Sequence, residues 1–333
     1  MRVELSPLFG QVPPVAEDLE IIGVYERRFE ERNWATVWPK SGVVRWADGT
    51  IEMETLWYER NLKNCGDYQS KWSWFPRFRR GRFFNLSMFW SFYYYHWTCD
   101  VLARLHTLLP RLTPDVRVIL PPETKPWQIR ALELIGLPRN QWLPFAGKRP
   151  WIVQHLLYAS PVAMTGDHEE KSLHWVRDTI WRNCLGGPPA GPGWRKLYLT
   201  RKNTWSRNLV NEEELIPVLL ARGFELVDCA TLSFDQQVRL FSEASFVVGP
   251  HGASFTNVLW SHPGTTVFEI FDDWALRRYY WSLCKTLGHS HHCGVAESVP
   301  NPPREPNILV NRREFETALD RLLAAEMAVA PAN

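Results

Sequence analysis

The feature that most constrains the fold is a regular alternation of short apolar stretches and helical stretches in the second half of the chain. Apolar runs of strand length cover residues 197–200, 224–227, 246–248 and 266–271. Helical periodicity covers residues 211–222, 234–244 and 276–287. Strands joined by helices form a parallel sheet, so the pattern predicts a doubly wound α/β domain with its ligands at the carboxyl ends of the strands.

The first half of the chain has a less regular pattern of the same kind. Its first 60 residues are rich in β-forming side chains, and Asp48-Gly49 is a typical hairpin turn. From Asn85 the apolar spacing becomes helical, and apolar runs at 116–120 and 152–158 predict further strands. We therefore expect an N-terminal domain over residues 1–165 with a β-rich start, a second domain over 166–305, and a C-terminal helix in 306–333 that packs back on the first domain.

Composition and charge exclude several classes of protein. A chain of 333 residues with 45% hydrophobic and 22% charged residues is typical of a folded two-domain protein. A formal net charge of +2 argues against a nucleic-acid partner, which requires a strongly basic surface. The six cysteines lack Cys-x-x-Cys spacing and favour reduced thiols. No run is apolar and long enough to span a bilayer, and Met1 to Gly10 lack a signal-peptide core, so we expect a cytoplasmic protein.

The stretch from Ser245 to Ser254 joins an apolar strand to a helix through two glycines. Gly249 and Gly252 permit a tight turn, and Gly252 and Ala253 permit a ligand to approach the main chain. The first N–H groups of the helix attract anions, and His251 adds a side-chain donor. A leaving nucleoside diphosphate requires such a site, because negative charge grows on its bridging oxygen as the sugar departs. The alternative is that both glycines serve local packing only.

Two arginines follow the strand at 197–200. Arg201 comes directly after the strand and Arg207 lies on the loop before the next helix. Guanidinium groups bind phosphate oxygens in a bidentate manner, which removes the need for a metal ion. The pair therefore favours phosphate binding over an ordinary surface salt bridge.

Taken together, these motifs resemble those of glycosyltransferase family 61. The residues that carry the resemblance are Tyr198-Leu199-Thr200-Arg201, Arg207, Asn211-Glu212, Gly249-Pro250-His251-Gly252-Ala253, Thr256-Asn257 and Pro263-Gly264-Thr265-Thr266-Val267-Phe268-Glu269. Upstream, Tyr94-Tyr95-His96-Trp97 with Asp100 and Leu102 is similar to the N-terminal His-Trp segment of that family. The resemblance is strong over residues 195–271 and patchy over 93–160, and bacterial members are assigned to capsule or surface polysaccharide synthesis.

The resemblance implies a GT-B fold, with two Rossmann-like domains facing a cleft, and transfer with inversion at the anomeric carbon and without a metal. It implies that the co-substrate is a nucleotide sugar, with a UDP-sugar as the first choice. The implied acceptor is a glycan or a lipid-linked glycan, and no further cofactor is implied. Glu269 ends a strand where GT-B enzymes commonly place an acid that binds the donor ribose; a carboxylate satisfied by local N–H groups is the alternative. The expected donor-binding set is Arg201, Arg207, Gly249, His251, Gly252, Ala253, Ser254, Asn257 and Glu269.

An inverting transferase needs one general base for the acceptor hydroxyl. His96 and Asp100 are four residues apart, so on a helix they share one face, where one can act as base and the other can orient it. Asp100 is our first choice and His96 the second. The alternative is a histidine buried among aromatic residues with a structural role only.

Two further stretches carry open interpretations. His289, His291, His292 and Cys293 resemble a zinc cluster, but no second ligand pair has a supporting spacing, so no metal is expected. Residues 71–84 interleave cations with aromatic rings. That pattern suits contact with an anionic membrane, and a solvated loop near the cleft is the alternative.

Three functions therefore remain in competition. The first is sugar transfer from a nucleotide-activated donor to a glycan. The second is a non-catalytic protein that binds carbohydrate or nucleotide on the same fold. The third, a serine hydrolase, ranks low because the chain has no Gly-x-Ser-x-Gly motif.

Overall fold

A computed structural model describes residues 5–12, 22–274 and 276–329. The chain divides into two compact units, and each contains one six-stranded sheet. The N-terminal unit is Gly23–Gly187, and the C-terminal unit combines the described residues before Gly23 with those from Pro188 onward. Both are mixed α/β structures, in agreement with the expected fold class.

The sheet of the N-terminal unit has the strand order β2-β1-β6-β3-β4-β5. Its strands are β1 (Phe29–Trp38), β2 (Val43–Arg45), β3 (Arg77–Asn85), β4 (Val116–Leu120), β5 (Trp142–Pro144) and β6 (Trp151–Ala159). Strands β6, β3, β4 and β5 are parallel, whereas β1 and β2 join antiparallel at one side. The loops that carry ligands in parallel sheets are therefore those that follow β3, β4 and β5.

The helices of this unit are α1 (Glu59–Leu62), α2 (Leu102–Leu108), α3 (Pro126–Ile135) and α4 (Glu170–Leu185). A π-helical turn, His96–Val101, runs directly into α2. The ends of α3 follow the sequence signals, since proline opens the helix and Gly136 ends it in the left-handed conformation. Strands β4 and β6 confirm the strands predicted at 116–120 and 152–158.

Two local predictions in this unit are wrong. The helix expected from Asn85 begins only beyond Tyr93, because Trp90 has φ 62° and left-handed backbone interrupts a right-handed helix. The stretch at 71–84 is not a solvated loop, because its second half is β3, which pairs with both β6 and β4. The β-rich start is present, although the strand after the Asp48-Gly49 turn is reduced to one bridge, Arg45 with Ile51.

The sheet of the C-terminal unit has the strand order β12-β11-β10-β9-β7-β8. Its strands are β7 (Arg195–Leu199), β8 (Phe224–Val227), β9 (Ala244–Pro250), β10 (Thr266–Asp272), β11 (Ser290–Val299) and β12 (Asn307–Leu309). All neighbours are parallel except β12, which pairs antiparallel with β11. The chain passes from β7 to β8 at the edge of the sheet and then returns to form β9 on the other side of β7. The strand order therefore reverses between β7 and β9. Doubly wound sheets bind their ligands at such a reversal.

The helices of this unit are α5 (Glu212–Ala221), α6 (Phe234–Ser242), α7 (Tyr279–Leu287) and α8 (Arg312–Val329), with a 3-10 helix at Ala253–Trp260. The alternation predicted for this half of the chain is confirmed strand by strand through β10. Helix α6 illustrates the local reason: Ser233 and Gln236 form a reciprocal capping box at its start.

The last helix corrects the expected domain organisation. Phe315, Leu319 and Leu322 of α8 lie in one buried cluster with Phe268 of β10 and Phe246 of β9. Helix α8 therefore packs on the sheet of the C-terminal unit, and the prediction that it returns to the first domain is wrong. The boundary lies at Gly187 rather than at residue 165, because α4 packs with α2 and α3 in the N-terminal unit.

Candidate functional site

Arg201 and Gly252 meet at the point where the strand order of the C-terminal sheet reverses. Arg201 follows the carboxyl end of β7, and Gly252 follows the carboxyl end of β9 and caps the 3-10 helix Ala253–Trp260. A methyl group on the Gly252 α-carbon would overlap the Nη1 atom of Arg201. Any other residue here would displace the guanidinium group, which lies against the main chain.

Arg201 places a positive charge in a buried position, where acidic groups act on it only from beyond ion-pair distance. Its side chain is only 8% exposed, Nη2 donates to the Ser206 carbonyl at 3.1 Å, and Nε has no hydrogen-bond partner in the described part of the chain. No carboxylate of the described residues lies within ion-pair distance of it. Burial, and then the nearby charge of Arg207, lower the pKa of Arg201 to about 10. The group remains a cation at neutral pH, and an anionic ligand would relieve the cost of burying it.

Arg207 lies beside a residue pair that sequence reasoning missed. Its Nε is 3.0 Å from the carboxylate of Glu305, and Arg277 donates to the other oxygen of that carboxylate at 2.8 Å. The positive charges of Arg207 and Arg277 keep the pKa of Glu305 below its usual value despite burial. Glu305 therefore forms close ion pairs with these two arginines, whereas its charge acts on Arg201 only from beyond ion-pair distance. No sequence motif identifies Arg277 or Glu305, which the loops after β10 and β11 bring to this place.

His251 and His291 both bond to the fully buried carboxylate of Glu269. The Nδ1 atom of His251 bonds to Oε1, and the Nε2 atom of His291 bonds to Oε2 at 2.8 Å. Burial raises the pKa of Glu269 and lowers the pKa of His251 to about 4 and that of His291 to about 3. Each imidazole is thus neutral and uses its single N–H on Glu269.

This arrangement corrects two expected roles. Glu269 is completely buried and both of its oxygens have histidine partners, so it is not available to a donor ribose. His251, expected as a donor, presents Nε2 as a lone-pair acceptor while it is neutral. That atom has no hydrogen-bond partner among the described residues and is open to a ligand.

Of the remaining residues in the predicted loop, two are accessible to a ligand and one is buried inside the protein. Ala253 is exposed and Ser254 is half-buried, so the start of the 3-10 helix is open. Asn257 is fully buried, donates to Gln237 at 2.8 Å and accepts from Trp260 at 3.2 Å. Its expected contact with the donor is therefore wrong, because the amide is used inside the protein.

Gly249 also has a packing role, rather than the expected role of permitting a tight turn. A methyl group on it would lie 2.7 Å from the Leu199 carbonyl oxygen, so glycine permits β9 to approach β7 closely. Its φ, like that of Gly252, lies outside the left-handed region. The two glycines therefore shape the site through close approach and not through a tight turn.

The second candidate site lies in the N-terminal unit, around His96 and Asp100. His96 Nδ1 is 2.8 Å from Asp100 Oδ2, and the Thr165 hydroxyl lies 3.1 Å from both atoms. The predicted pairing of these two residues is confirmed. It occurs on a π-helical turn, an irregularity that is frequent at functional sites. His96 Nε2 has no partner among the described residues, so the pair presents an oriented imidazole nitrogen.

Two tryptophans with unusual backbone enclose His96. Trp57 and Trp90 have φ values of 59° and 62°, which bulky side chains rarely adopt. Their rings lie 5.9 Å apart, and the centroids of both are within 5.5 Å of the His96 ring. Such backbone strain persists only where surrounding packing enforces it, and it is concentrated at functional sites. Only the structure identifies Trp57 and Trp90 as members of this site.

The histidine and cysteine stretch at 289–293 does not form a metal cluster. His289 Nε2 lies 2.9 Å from the Val258 carbonyl, His291 bonds to Glu269, and Cys293 is a buried thiol on β11. Within residues 5–12, 22–274 and 276–329, no three His, Cys, Asp or Glu side chains are arranged to hold a metal ion. None of the helices in these ranges combines the length and the apolar character that crossing a membrane requires.

Comparison with known proteins relates part of this chain to glycosyltransferases. A beta-1,2-xylosyltransferase from Arabidopsis thaliana is 31% identical over 117 residues, which cover 31% of this chain and 21% of the relative. A protein O-linked-mannose beta-1,4-N-acetylglucosaminyltransferase 2 from Bos taurus is 28% identical over 130 residues, covering 38% of this chain and 21% of the relative. The match thus spans about a fifth of each relative.

A sequence profile described as Glycosyltransferase 61 matches residues 94–268, a range that includes His96, Asp100, Arg201 and His251. It covers more than half of the 333 residues. The chain therefore belongs to glycosyltransferase family 61.

Proposed function

We propose that this protein is a glycosyltransferase that moves a hexosyl or pentosyl group from a nucleotide sugar to a glycan. The observation that carries the proposal is the buried, unpaired guanidinium of Arg201 against Gly252, at the reversal point of a parallel sheet. A diphosphate is the ligand that supplies the missing negative charge. The relatives' names support the class of reaction, and the donor and acceptor are part of the proposal.

The donor diphosphate is proposed to lie between Arg201 and the start of the 3-10 helix. The first N–H groups of a helix lack intrahelical acceptors and attract anions, and Ala253 and Ser254 leave that end accessible. The Nε2 atom of His251 faces the same ligand. Arg207 and Arg277, oriented by Glu305, add positive charge nearby. A UDP-sugar is our first choice of donor, on a GT-B arrangement of the two units.

Transfer is proposed to proceed in one inverting step. The acceptor oxygen forms a bond to the anomeric carbon while the bond from that carbon to the diphosphate oxygen breaks. The electron pair leaves with the nucleoside diphosphate, whose growing charge Arg201 stabilises. The acceptor's hydroxyl proton passes to a general base. Because guanidinium supplies the counter-charge, we propose that the step needs no metal; full activity in a chelator is the corresponding test.

The geometry favours His96 over Asp100 as the base, in contrast to our first choice from the sequence. Asp100 accepts from His96 and from Thr165, so it orients the imidazole and stabilises its protonated form. His96 Nε2 is then the free atom that takes the proton. An acceptor glycan of surface polysaccharide type, free or linked to lipid, is proposed as the source of that hydroxyl.

Contact with an anionic membrane on the cytoplasmic side is a separate proposal. Trp74, Phe75 and Phe78 are strongly exposed on the 71–84 stretch, and the exposed ring of Trp34 lies 6.4 Å from that of Phe78. Exposed Arg77 and Arg80 of the same stretch form no ion pair with any described residue, and aromatic rings beside such arginines suit the interface of an anionic bilayer.

A panel of nucleotide sugars in thermal-shift and product assays tests the function. A donor that binds the folded protein raises its melting temperature, and a transferase also releases nucleoside diphosphate from it. Binding without release, with every acceptor offered, would favour the non-catalytic binding protein. A panel in which no nucleotide shifts the melting temperature would refute both.

A further inference from the structure

A large pocket of about 980 Å³ lies in the N-terminal unit, and its lining includes Trp90 and, from the 71–84 stretch, Trp72. Its wall includes Pro121 and Pro122, which follow β4, and Phe145, which follows β5. It thus opens at the carboxyl ends of parallel strands, where this class of sheet binds ligands. Trp90 also packs at 5.1 Å from the His96 ring, so the pocket adjoins the proposed general base.

The pocket has the size and the surface of a carbohydrate site. A volume near 1,000 Å³ is at the upper end for a small-molecule site and holds several sugar rings. Six aromatic rings line it: Trp38, Trp72, Phe89, Trp90, Phe92 and Phe145. The side chains of Trp72 and Phe92 are 40% and 57% exposed. A sugar ring stacked on these aromatic faces would bury them favourably.

The charge of the wall is unbalanced. Lys40, Lys125 and Lys148 line the pocket, are exposed, and form no ion pair with any described residue. Only two carboxylates line it. These are Asp67, which is partly buried and accepts from the backbone N–H groups of Ser41 and Tyr68, and Glu123, which is exposed. Three exposed ammonium groups face two carboxylates, of which only Glu123 is exposed, so the accessible charge of the wall is mainly positive and attracts an anionic ligand.

We propose that this pocket binds the acceptor and that the acceptor is an acidic sugar chain, with carboxylate groups for the lysines and ring faces for the tryptophans. This inference rests on the proposed function, because it identifies the acceptor of that reaction. Aromatic stacking alone would accept any glycan, whereas the three lysines select one with negative charge.

Binding of a galacturonic acid tetrasaccharide and of its methyl ester tests the proposal, because the two differ in charge and share the sugar chain. At low ionic strength we expect the acid to bind at least about 10-fold more tightly than the ester, with the difference shrinking as salt screens the charges. The double variant Lys125→Gln, Lys148→Gln, which keeps only Lys40, should lose most of this preference. Lys171→Gln, on exposed α4 surface outside the pocket, should behave as wild type.

Equal binding of acid and ester by wild type, or an unchanged preference in the double variant, would overturn the inference. Trp72→Ala should weaken both ligands about equally, since it removes stacking and no charge. Titration with UDP separates this result from the proposed function. If UDP binds and the acid is not preferred over the ester, only the proposal of an acidic acceptor is refuted. If the acid is preferred and no nucleotide binds, the proposed transferase function is refuted, whereas the pocket still binds an acidic sugar chain.

Discussion

The guanidinium of Arg201 lies against the α-carbon of Gly252, in the space that any other residue's β-carbon would take. Gly252→Ala should therefore displace Arg201 and weaken nucleoside diphosphate binding by about 10- to 100-fold, the value of one charge-assisted hydrogen bond. Calorimetric titration with UDP measures the change. Gly191→Ala is the matched control, because a methyl group there meets nothing within 4 Å. Equal affinity in the two variants would contradict the role of Arg201.

The pairing of His96 with Asp100 predicts unequal effects of two substitutions. His96→Gln should abolish transfer, whereas Asp100→Asn should lower kcat by roughly 10²- to 10⁴-fold and leave nucleotide affinity unchanged. Thr165→Val, which removes only the hydroxyl shared by both groups, should have a smaller effect. The assay is release of nucleoside diphosphate in the presence of acceptor. If His96→Gln retains activity while Asp100→Asn is inactive, Asp100 is the base.

We expect His251 to take up a proton when the diphosphate binds. In the free protein its pKa is about 4, so the ring is neutral at pH 7, and Nε2 can donate to a phosphate oxygen only after gaining a proton. The phosphate charge should raise that pKa. Binding should then tighten as pH falls through the raised value and level off near the free value of 4.

Calorimetry in buffers of different ionisation enthalpy detects this proton directly. His251→Gln is the control, because UDP itself also takes up protons in this range and the variant retains only that contribution. Identical proton uptake in wild type and variant would mean that Nε2 accepts a hydroxyl hydrogen instead.

The exposed aromatic face predicts binding to anionic vesicles. Trp74→Ala together with Phe78→Ala should abolish flotation with vesicles that contain phosphatidylglycerol, and wild-type flotation should weaken as salt increases. Trp194→Ala removes an equally exposed tryptophan from the C-terminal unit and should change nothing. Salt-independent flotation, or none in the wild type, would contradict the membrane proposal.

Helix α8 predicts a stability effect confined to the C-terminal unit. Phe315 is fully buried, and its ring stacks at 6.1 Å on that of Phe268. Phe315→Ala should lower the unfolding free energy of this unit by about 3–5 kcal/mol. Hydrogen exchange of the amides in β10 measures this loss of stability. Glu314→Ala, which changes an exposed residue of the same helix, is the control. Unchanged exchange in Phe315→Ala would show that α8 is not part of this core.

The sequence by itself determined the elements and the members of the candidate sites that lie close along the chain. Apolar periodicity and capping residues act within a few residues, so β4, β8 and α6 could be predicted almost to their ends. The pairing of His96 with Asp100 followed from helical spacing for the same reason, even though the turn proved to be π-helical.

Only the tertiary structure decided which distant residues share those sites. Glu305 reaches Arg207 and Arg277, and His291 reaches Glu269, because sheet order and loop paths bring together segments that carry no local sign of one another. The role of Gly252 is likewise tertiary: a buried arginine from the loop after β7 occupies the space that a side chain there would take. Local forces specify elements, whereas burial and charge compensation across the sheet decide what each functional group can do.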